Sequence, residues 1–564
     1  MANYFIFGVG GTGSRVIRSL TMLLAAGFKP FKRNDKIFPI LIDYDTNNGD
    51  TKRTKELIDL YHSIREASYP AALANEERFD NLFFSAPLLE MQEVSNAYHS
   101  GFSMKFGAES DQTFEQWTAT DQLTNEKDRT QDLMLSLFDD SSDPNLEELK
   151  LNMNKGFKGN PNIGSIVFHS LKDSNEFNDF ASMCQVGDRV IIIGSLFGGT
   201  GSSGIPELVQ AIRNDRRTAV KNVELSVVMV CPYFGFRSSD ERAVRSSIFN
   251  SKTKAALNFY KTSGINDKIN AIYYVGDEKT SIYEYSEGED SQRNNIHFVD
   301  LVSALSICHF AELNKETLAN GTKYYKYRIV EEDIEDNDRD DDDQENAHRI
   351  SFVNFIETEL DHTFYYLASF ALAIRFFHDE ISKGTSVVKE LQFNSLLNLH
   401  SCFKDGKAIS ADTGNKQTDD LRIVCRKLLE FYNNFVEWNE EFKKHTAHPL
   451  YLFNFNGHLY DLIVDGSLNI PQDPRNILGF RAKRDPQDLL KAEADVAERM
   501  NEAFNELRGI EAYKISSGYK AFMLMYLLTE GSRKVFLKSE GRSDDRRRHL
   551  SSKSLRVVKS ADEV

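Results

Sequence analysis

The stretch from Val186 to Glu207, VGDRVIIIGSLFGGTGSSGIPE, constrains the fold of this chain more than any other stretch. Val190–Ile193 is β-branched throughout, which is typical of a central parallel strand covered on both faces. A glycine-rich loop follows at once, and Pro206 falls in the first turn of the helix that comes next. Such a loop at a helix N-terminus presents backbone N–H groups to an anion. The stretch therefore predicts either a phosphate site or a tight strand-to-helix turn without a ligand.

A second glycine loop lies near the N-terminus. The strand-like residues Tyr4–Phe7 lead into GVGGTGS, which fits the GxGxxG pattern, and a helical pattern covers Arg15–Ala26. The next predicted strand, Phe38–Ile42, ends in Asp43 and Asp45, and an acid at this place commonly meets a ribose, a base or a metal. Taken alone, these elements fit a dinucleotide-binding Rossmann protein or an adenylating enzyme of the ThiF type.

Strands and helices alternate through the rest of the first half. The segment KGFKGNPNIGS, residues 155–165, contains strong turn chemistry. Strands are predicted at Val223–Val230 and Ala271–Val275, and an apolar helix at His297–Leu313. This alternation predicts an α/β fold with a Rossmann-like parallel sheet wrapped by helices. Residues 51–151 show no clear pattern and are interpreted as a large insertion.

Composition limits the function classes. The formal charge of −17 over 564 residues argues against broad binding to nucleic acid, which needs a basic surface. Five cysteines occur without a CxxC pair, so we expect buried free thiols in a reducing compartment. The N-terminus lacks the basic region of a signal peptide, and we expect a cytoplasmic protein.

The order of the motifs resembles the tubulin and FtsZ superfamily, and more closely the divergent bacterial tubulin-like proteins. GVGGTGSR is similar to the first FtsZ loop, GNPNIG to its Asn-Pro loop, and FGGTGSSG to its signature loop. The exit of the second strand at Asp43-Tyr44-Asp45 resembles NTD, and VMVCPYFGF and YYVGD resemble two later segments. The resemblance covers residues 3–313, apart from the insertion.

This resemblance implies GTP or GDP held between the two glycine loops, together with Mg²⁺, and a filament-forming GTPase of a cytoskeletal or membrane-remodelling type. It assigns nucleotide contacts to the residues that match the family motifs, namely Gly10, Gly11, Thr12, Gly13, Ser14, Arg15, Asp43, Asp45, Gly159, Asn160, Pro161, Gly198, Gly199, Thr200, Gly201, Ser202 and Ser306.

Three of these positions depart from the family. Arg15 replaces an asparagine and is either a phosphate ligand or a solvated helix residue. Asp43 also replaces an asparagine, and Ser306 stands where the base-reading helix carries Asn or Asp. The acidic NxDxxD pattern expected for hydrolysis is missing, so the catalytic residues are unknown and GTP is an expectation from the family. The histidines show no metal-ligand spacing.

The predicted domains are a nucleotide-binding domain over 1–315, an acidic linker or loop over 316–350, a mostly helical domain over 351–540 and a disordered tail over 541–564. The helical half differs from the second α/β domain of the family. We expect it to mediate self-association or to bind a partner protein, and the basic tail to offer at most a weak contact with anionic lipid.

Three functional hypotheses remain open. The first is a tubulin/FtsZ-like GTP-binding protein that assembles and hydrolyses GTP. The second is a ThiF-type adenylating enzyme that uses ATP, which leaves the Asn-Pro loop and the second glycine loop unexplained. The third is a nucleotide-gated scaffold without hydrolysis.

Overall fold

The computed structural model describes most of both halves of the chain. The described residues are 2–28, 30–32, 35–45, 48–70, 81–91, 103–104, 113–119, 150, 157, 159–236, 249–277, 281–283, 292–327, 343–410, 412–445, 452–456, 459, 486–509 and 519–538. The chain forms two compact units, the first from residues 1–19, 30–56 and 88–355 and the second from residues 20–29, 57–87 and 356–564.

The first unit is built on a parallel sheet of six strands and a two-residue edge strand. Its strands are β1 (Asn3–Val9), β2 (Lys36–Ile42), β3 (Ser103–Met104), β4 (Arg189–Ser195), β5 (Glu224–Val230), β7 (Ala271–Val275) and β9 (Lys323–Tyr327). They lie in the order β3-β2-β1-β4-β5-β7-β9. Strands β6 (Phe234–Phe236) and β8 (Ser281–Tyr283) pair separately, and β10 (Phe403–Lys404) and β11 (Lys407–Ala408) form a hairpin.

Helices follow most of the strands. They are α1 (Gly10–Ala25), α2 (Gly49–Ser68), α3 (Phe114–Trp117), α4 (Pro161–Phe168), α5 (Asn175–Met183), α6 (Gly199–Arg213), α7 (Thr218–Lys221), α8 (Phe249–Thr262), α9 (Phe298–Glu312), α10 (Lys315–Ala319), α11 (Asp343–Phe376), α12 (Asn394–Leu397), α13 (Lys416–Phe442), α14 (Pro486–Arg508) and α15 (Lys520–Lys538).

The predicted α/β class and its parallel sheet are confirmed. The β-branched run Val190–Ile193 is the middle of β4, and all seven residues of β4 are buried, because strands pair with it on both sides and helices cover its faces. The strand order reverses direction between β1 and β4, so the helices that follow these two strands diverge at the carboxyl edge of the sheet. Ligands of open α/β sheets bind at such a switch point.

The second unit is mostly helical. The ring of Phe370 in α11 packs edge-on against Phe84 and Phe431, with centroids 5.7 and 5.8 Å apart. A Cβ on Gly531 in α15 would lie 3.0 Å from the Cα of Met500 in α14, so these two helices pack closely. The helical patterns predicted from residue 352 onward correspond to α11, α13, α14 and α15.

Two predicted domain boundaries differ from the units observed. Residues 57–87, predicted as part of an insertion in the first domain, belong to the second unit, where Tyr61 donates to the carbonyl of Ala86 and packs against Phe84. Within the predicted linker 316–350, Lys323–Tyr327 forms β9, and α11 begins at Asp343. Strand β9 forms because it can pair with β7 along its whole length. The rest of the acidic run and the tail 541–564 lie outside the described residues.

The state of the cysteines and the apolar length of the helices were also predicted from the sequence. All five cysteines are buried and free, as predicted. Among the helices that the structure describes, none is long and apolar enough to cross a membrane.

Gly13 sets the distance between α1 and the sheet, which gives a test of the fold. A Cβ on Gly13 would lie 2.5 Å from the carbonyl carbon of Gly8 and 2.8 Å from the carbonyl oxygen of Ile193. Because both neighbours are backbone, Gly13→Ala should lower the free energy of unfolding by about 1–3 kcal/mol in urea denaturation. Gly11→Ala is the matched control, since its Cβ would meet only side-chain atoms, of which the nearest is Asp50 Oδ2 at 3.3 Å. Equal stability of the two variants would contradict this packing.

Candidate functional site

Three glycine-containing loops meet at the carboxyl edge of the sheet. A Cβ on Gly10, at the start of α1, would lie 3.3 Å from the Cβ of Thr200 in the first turn of α6. A Cβ on Gly199 would lie 3.1 Å from the backbone nitrogens of both Gly159 and Asn160, which precede α4. We call these three segments, residues 10–12, 159–161 and 198–200, the cradle, and each includes the first residues of a helix. The cradle is therefore the meeting point of three helix N-termini.

Two of the helices at the cradle begin without a side-chain cap. Asn160 and Gly198 are the N-cap residues of α4 and α6, and neither makes a side-chain hydrogen bond to its helix. By contrast, the side chains of Ser174, His297 and Asn415 cap α5, α9 and α13. Within the described part of the chain, the first N–H groups of α6, and those of α4 after Pro161, therefore receive no oxygen from an N-cap side chain. An anion that accepts hydrogen bonds from these N–H groups would take the place of the missing caps at both helix N-termini.

The hydroxyl groups near the cradle have two different roles. Ser14 and Ser202 donate to the carbonyls of Gly10 and Gly198 in their own helices, so these hydroxyls stabilise the first turns. Thr200 is half-buried, and its hydroxyl makes no hydrogen bond within the described part of the chain. Of the hydroxyls that the sequence assigned to nucleotide contact, Thr200 is the one oriented by no internal bond.

Arg15 lies fully inside the protein, next to the cradle. Its Nη1 donates to Asp50 Oδ2 at 2.8 Å, and its Nη2 donates to Tyr233 Oη at 2.9 Å and Thr12 Oγ1 at 3.2 Å. Its Nε lies 3.5 Å from Asp300 Oδ2. With 2% of its surface exposed, Arg15 is not the solvated helix residue that was one of the two predictions. Its guanidinium is held by two carboxylates rather than left open for a phosphate.

Asp50 is the centre of this buried network. Besides Arg15, its carboxylate accepts from Arg53 Nη2 at 2.8 Å and from the backbone nitrogen of Asn294 at 3.1 Å. The segment 292–294 is tied to the same place, because the backbone nitrogen of Asp50 donates to the carbonyl of Gln292 at 3.1 Å. Asp50 therefore joins the first glycine loop to the segment that leads into α9.

Asp300 is the carboxylate of α9 that lies in this network. Burial raises the pKa of Asp300 to about 6, although the neighbouring Arg15 opposes the shift. Its Oδ2 accepts from the backbone nitrogen of His297 at 2.9 Å, whereas Oδ1 has no partner among the described residues. Ser306, the residue predicted to stand at the base, is fully buried two turns further on and donates to the carbonyl of Val302.

Asp43 and Asp45 follow β2 and are both buried. Burial, and then the charge of Asp45, raise the pKa of Asp43 to about 8. The ring of Tyr44 packs 5.5 Å from that of Phe157, whose Cβ in turn would touch a Cβ on Gly199. The exit of β2 is thereby joined to the cradle. Mg²⁺ is usually held by one or two carboxylates and by phosphate oxygens, so these two residues are the candidates to hold it.

The two sides of the site differ in exposure. On the cradle, Gly11, Gly159, Asn160, Pro161, Gly198 and Thr200 are partly exposed. Arg15, Asp50 and Asp300 are buried almost completely. An anion can therefore reach the cradle directly, whereas a ligand reaches Asp300 only if neighbouring groups move.

The sequence reasoning missed Asp50 and Asp300. Asp50 falls at the border of the stretch that was interpreted as an insertion, and its partner Arg15 lies in another helix, so no local pattern connects them. Asp300 did carry a signal, because it is an acidic residue in the first turn of an otherwise apolar helix. In the described part of the chain, no group of three or more His, Cys, Asp or Glu side chains could hold a metal ion.

A separate groove lies away from the cradle. Its volume is about 740 Å³, and it is lined by residues of the C-terminal half of α6 and the segment after it, including Glu207, Arg216 and Arg217, and by Lys172. Because α6 rises ~1.5 Å per residue, its residues that line the groove, from Glu207 onward, lie ~12 Å or more along the helix from the glycine loop. The groove therefore does not belong to the site at the switch point.

The fold and the site define a Rossmann-like α/β protein with a candidate anion site at the switch point of its sheet. Comparison with known proteins gives no match to a family model, to a characterised protein or to a solved structure.

The buried Arg15 network gives a stability prediction. Arg15→Met removes one of the two guanidinium groups that pair with the buried Asp50 and the guanidinium that lies beside the buried Asp300. We expect the free energy of unfolding to fall by about 3–5 kcal/mol. Arg217→Met is the control, because Arg217 pairs with Asp215 at 3.1 Å on an exposed surface, where loss costs at most about 1 kcal/mol. Chemical denaturation compares the two. Equal losses would show that the Arg15 pair contributes no more than a surface pair.

Asp43 gives a pH prediction. Its folded pKa of about 8 lies above its ordinary value of 3.8, so the folded state holds this proton where the unfolded state has released it. The contribution of Asp43 to the free energy of unfolding is fully present below about pH 4 and is lost as the pH rises to about 8. In this range the free energy of unfolding of the wild type should fall by up to about 1.4 kcal/mol per pH unit because of this group, and Asp43→Asn should remove that dependence.

The measurement is urea denaturation at several pH values between about 4 and 8. The exposed Asp267→Asn serves as the matched control and should keep the wild-type profile. If the Asp43→Asn profile is parallel to that of the wild type, Asp43 does not hold a proton in the folded state.

Proposed function

We propose that this protein binds a nucleotide at the switch point of its sheet, with the phosphates in the cradle, and that it is a tubulin/FtsZ-like protein using GTP or GDP. One observation carries the proposal. The uncapped N-terminus of α6 lies beside the start of α1 and beside the Asn-Pro loop that leads into the uncapped α4, so the N-termini of three helices lie together. A chain of phosphates is the ligand that can accept from several converging N–H groups at once.

The meeting of three loops favours the tubulin-like hypothesis over the ThiF-type enzyme. The strand order alone is common to many Rossmann-like proteins, and a first glycine loop followed by an acidic strand exit fits both classes. Only the tubulin-like hypothesis gives a function to the Asn-Pro loop and to the second glycine loop. Their backbone contact at Gly199, Gly159 and Asn160 is what it requires.

Guanine is the base expected from the resemblance, which assigns base reading to an acceptor on the helix that corresponds to α9. Asp300 is the carboxylate in the first turn of that helix, and its buried Oδ1 lacks a donor among the described residues. A guanine offers N–H donors to such an oxygen. Because Asp300 is fully buried, this contact requires the groups packed around its carboxylate to move.

Hydrolysis and assembly belong to the same proposal. Mg²⁺ would be held at the β2 exit by Asp45 together with the phosphates, where it would neutralise their charge. Asp43 could join it only after losing the proton that its raised pKa retains up to about pH 8. Turnover in this family needs an acidic loop from a second subunit, and no residue of this chain is assigned to that role. A nucleotide-gated scaffold, which binds without turnover, is the alternative.

The test is nucleotide binding by the wild-type chain and by a cradle variant. Gly199→Ala combined with Thr200→Val places a Cβ against the Asn-Pro loop and removes the free hydroxyl, so GTP and GDP affinity should fall at least about tenfold. Calorimetry with Mg²⁺ measures the affinities, and thermal melting checks that the variant is folded. Thr218→Val, in the short helix α7, is the control and should bind like the wild type.

Three results would redirect the proposal. Wild-type protein that binds neither GTP nor GDP at micromolar concentration would refute it. ATP binding with pyrophosphate exchange would support the adenylating enzyme instead. GTP binding without phosphate release, and without polymer in sedimentation and electron microscopy, would favour the scaffold.

A further inference from the structure

Lys252 is a cation at the cradle that the sequence motifs do not mark. It lies in the first turns of α8, is half-buried, and donates from Nζ to the carbonyl oxygen of Gly159 at 2.6 Å. Gly159 immediately precedes Asn160, the N-cap of α4. The ammonium group of Lys252 is thereby placed beside the Asn-Pro loop.

Aromatic packing fixes the start of α8 at this place. The ring of Phe249, the first residue of α8, lies 4.8 Å from that of Phe197 and 5.8 Å from that of Phe234. Phe197 directly precedes Gly198, the N-cap of α6. The helix that carries Lys252 is therefore packed against the second glycine loop and hydrogen-bonded to the Asn-Pro loop.

The contacts along the site run in one order, from carboxylates at one end to an ammonium group at the other. A Cβ on Gly11 in the first loop would meet Asp50, and one on Gly10 would meet Thr200 in the second. A Cβ on Gly199 would meet the backbone nitrogen of Gly159, whose carbonyl accepts from Lys252. Phosphates are repelled by the carboxylate end and attracted to the ammonium end. A bound phosphate chain should therefore extend from the first loop towards Lys252.

Arg15 is not the cation towards which the phosphate chain extends. Its guanidinium lies at the carboxylate end, where Asp50, Thr12 and Tyr233 hold it. Its pKa is raised well above the ordinary value, because Tyr233, Asp300 and Asp50 together outweigh the effect of burial. Arg15 thus compensates the buried carboxylates, and Lys252 supplies positive charge at the opposite end of the cradle.

We propose that Lys252 contacts the outermost phosphate of the bound ligand and makes the site prefer a nucleoside triphosphate to a diphosphate. This inference rests on the proposed nucleotide function. A triphosphate reaches further along the cradle than a diphosphate and carries more negative charge, so the charge of Lys252 acts mainly on the longer ligand.

The test compares Lys252→Gln with Lys254→Gln. Glutamine can still donate to the carbonyl of Gly159, so the first variant removes charge while retaining a donor. Lys254 is exposed on the same helix, which makes the second variant a control with the same change of net charge. GTP, GDP and inorganic tripolyphosphate are titrated with Mg²⁺ at two ionic strengths.

We expect Lys252→Gln to weaken GTP and tripolyphosphate binding about tenfold or more, and GDP binding by no more than about threefold. The salt dependence of GTP binding should decrease in this variant, whereas Lys254→Gln should bind all three ligands like the wild type. Lys252→Arg should restore the preference for GTP, because it restores the charge.

Two outcomes would overturn the inference: equal loss of GTP and GDP, which would mean that Lys252 only positions the Asn-Pro loop, or no loss at all. Failure of the proposed function has a different result. If the wild type binds tripolyphosphate through Lys252 but binds no nucleotide, the cradle is a polyphosphate site. The nucleotide proposal and the preference for a nucleoside triphosphate then fail, whereas the contact between Lys252 and the outermost phosphate stands.

Discussion

Close approach of backbone at two glycines is the constraint on which the rest of the site depends. Gly13 lets α1 lie against Gly8 and Ile193, and Gly201 lets α6 lie against Ser195, where a Cβ would come within 2.6 Å of its backbone nitrogen. With both helices seated this closely on adjacent strands, their first turns touch at Gly10 and Thr200. The third helix, α4, meets the same point through Gly199. A side chain at any of these places would separate the helix N-termini, and the converging N–H groups would be lost.

The buried ion pair of Arg15 and Asp50 divides the site into two parts with different chemistry. On one side of it, carboxylates are packed in the interior, and on the other, the cradle presents partial positive charge from helix ends to the surroundings. Burying charges costs free energy unless they are paired, and Arg15 with two carboxylates and a tyrosine meets that condition. The consequence is that the cradle is partly exposed to an anion as the structure stands, whereas a ligand reaches Asp300 only if the groups packed around it move.

Much of the fold was predictable from local patterns. The β-branched run at Val190–Ile193, the glycine loops and the alternation of strands with helices each reflect the conformation of a few neighbouring residues, and the parallel sheet follows from them. The boundaries of the two units were less predictable. The assignment of 57–87 to the helical unit depends on Phe84 meeting Phe370 and Phe431, which are hundreds of positions away. Strand β9 was missed because its residues become a strand only when β7 is beside them.

The sequence by itself determined where the backbone can bend and that a helix follows each glycine loop, since glycine and apolar spacing act on the nearest residues. The start of α6 was predicted wrongly, because this helix begins at Gly199 and Pro206 lies inside it rather than in its first turn. The sequence therefore determined the three loops of the cradle. Only the tertiary structure decided which charges stand beside them. The residues next to Arg15 in the sequence leave open whether it contacts a phosphate or water. The fold buries it against Asp50 and Asp300. Lys252 is one lysine among many until α8 packs on Phe197 and brings it to Gly159. The physical reason is that electrostatic interaction depends on distance in space, which residue order does not contain.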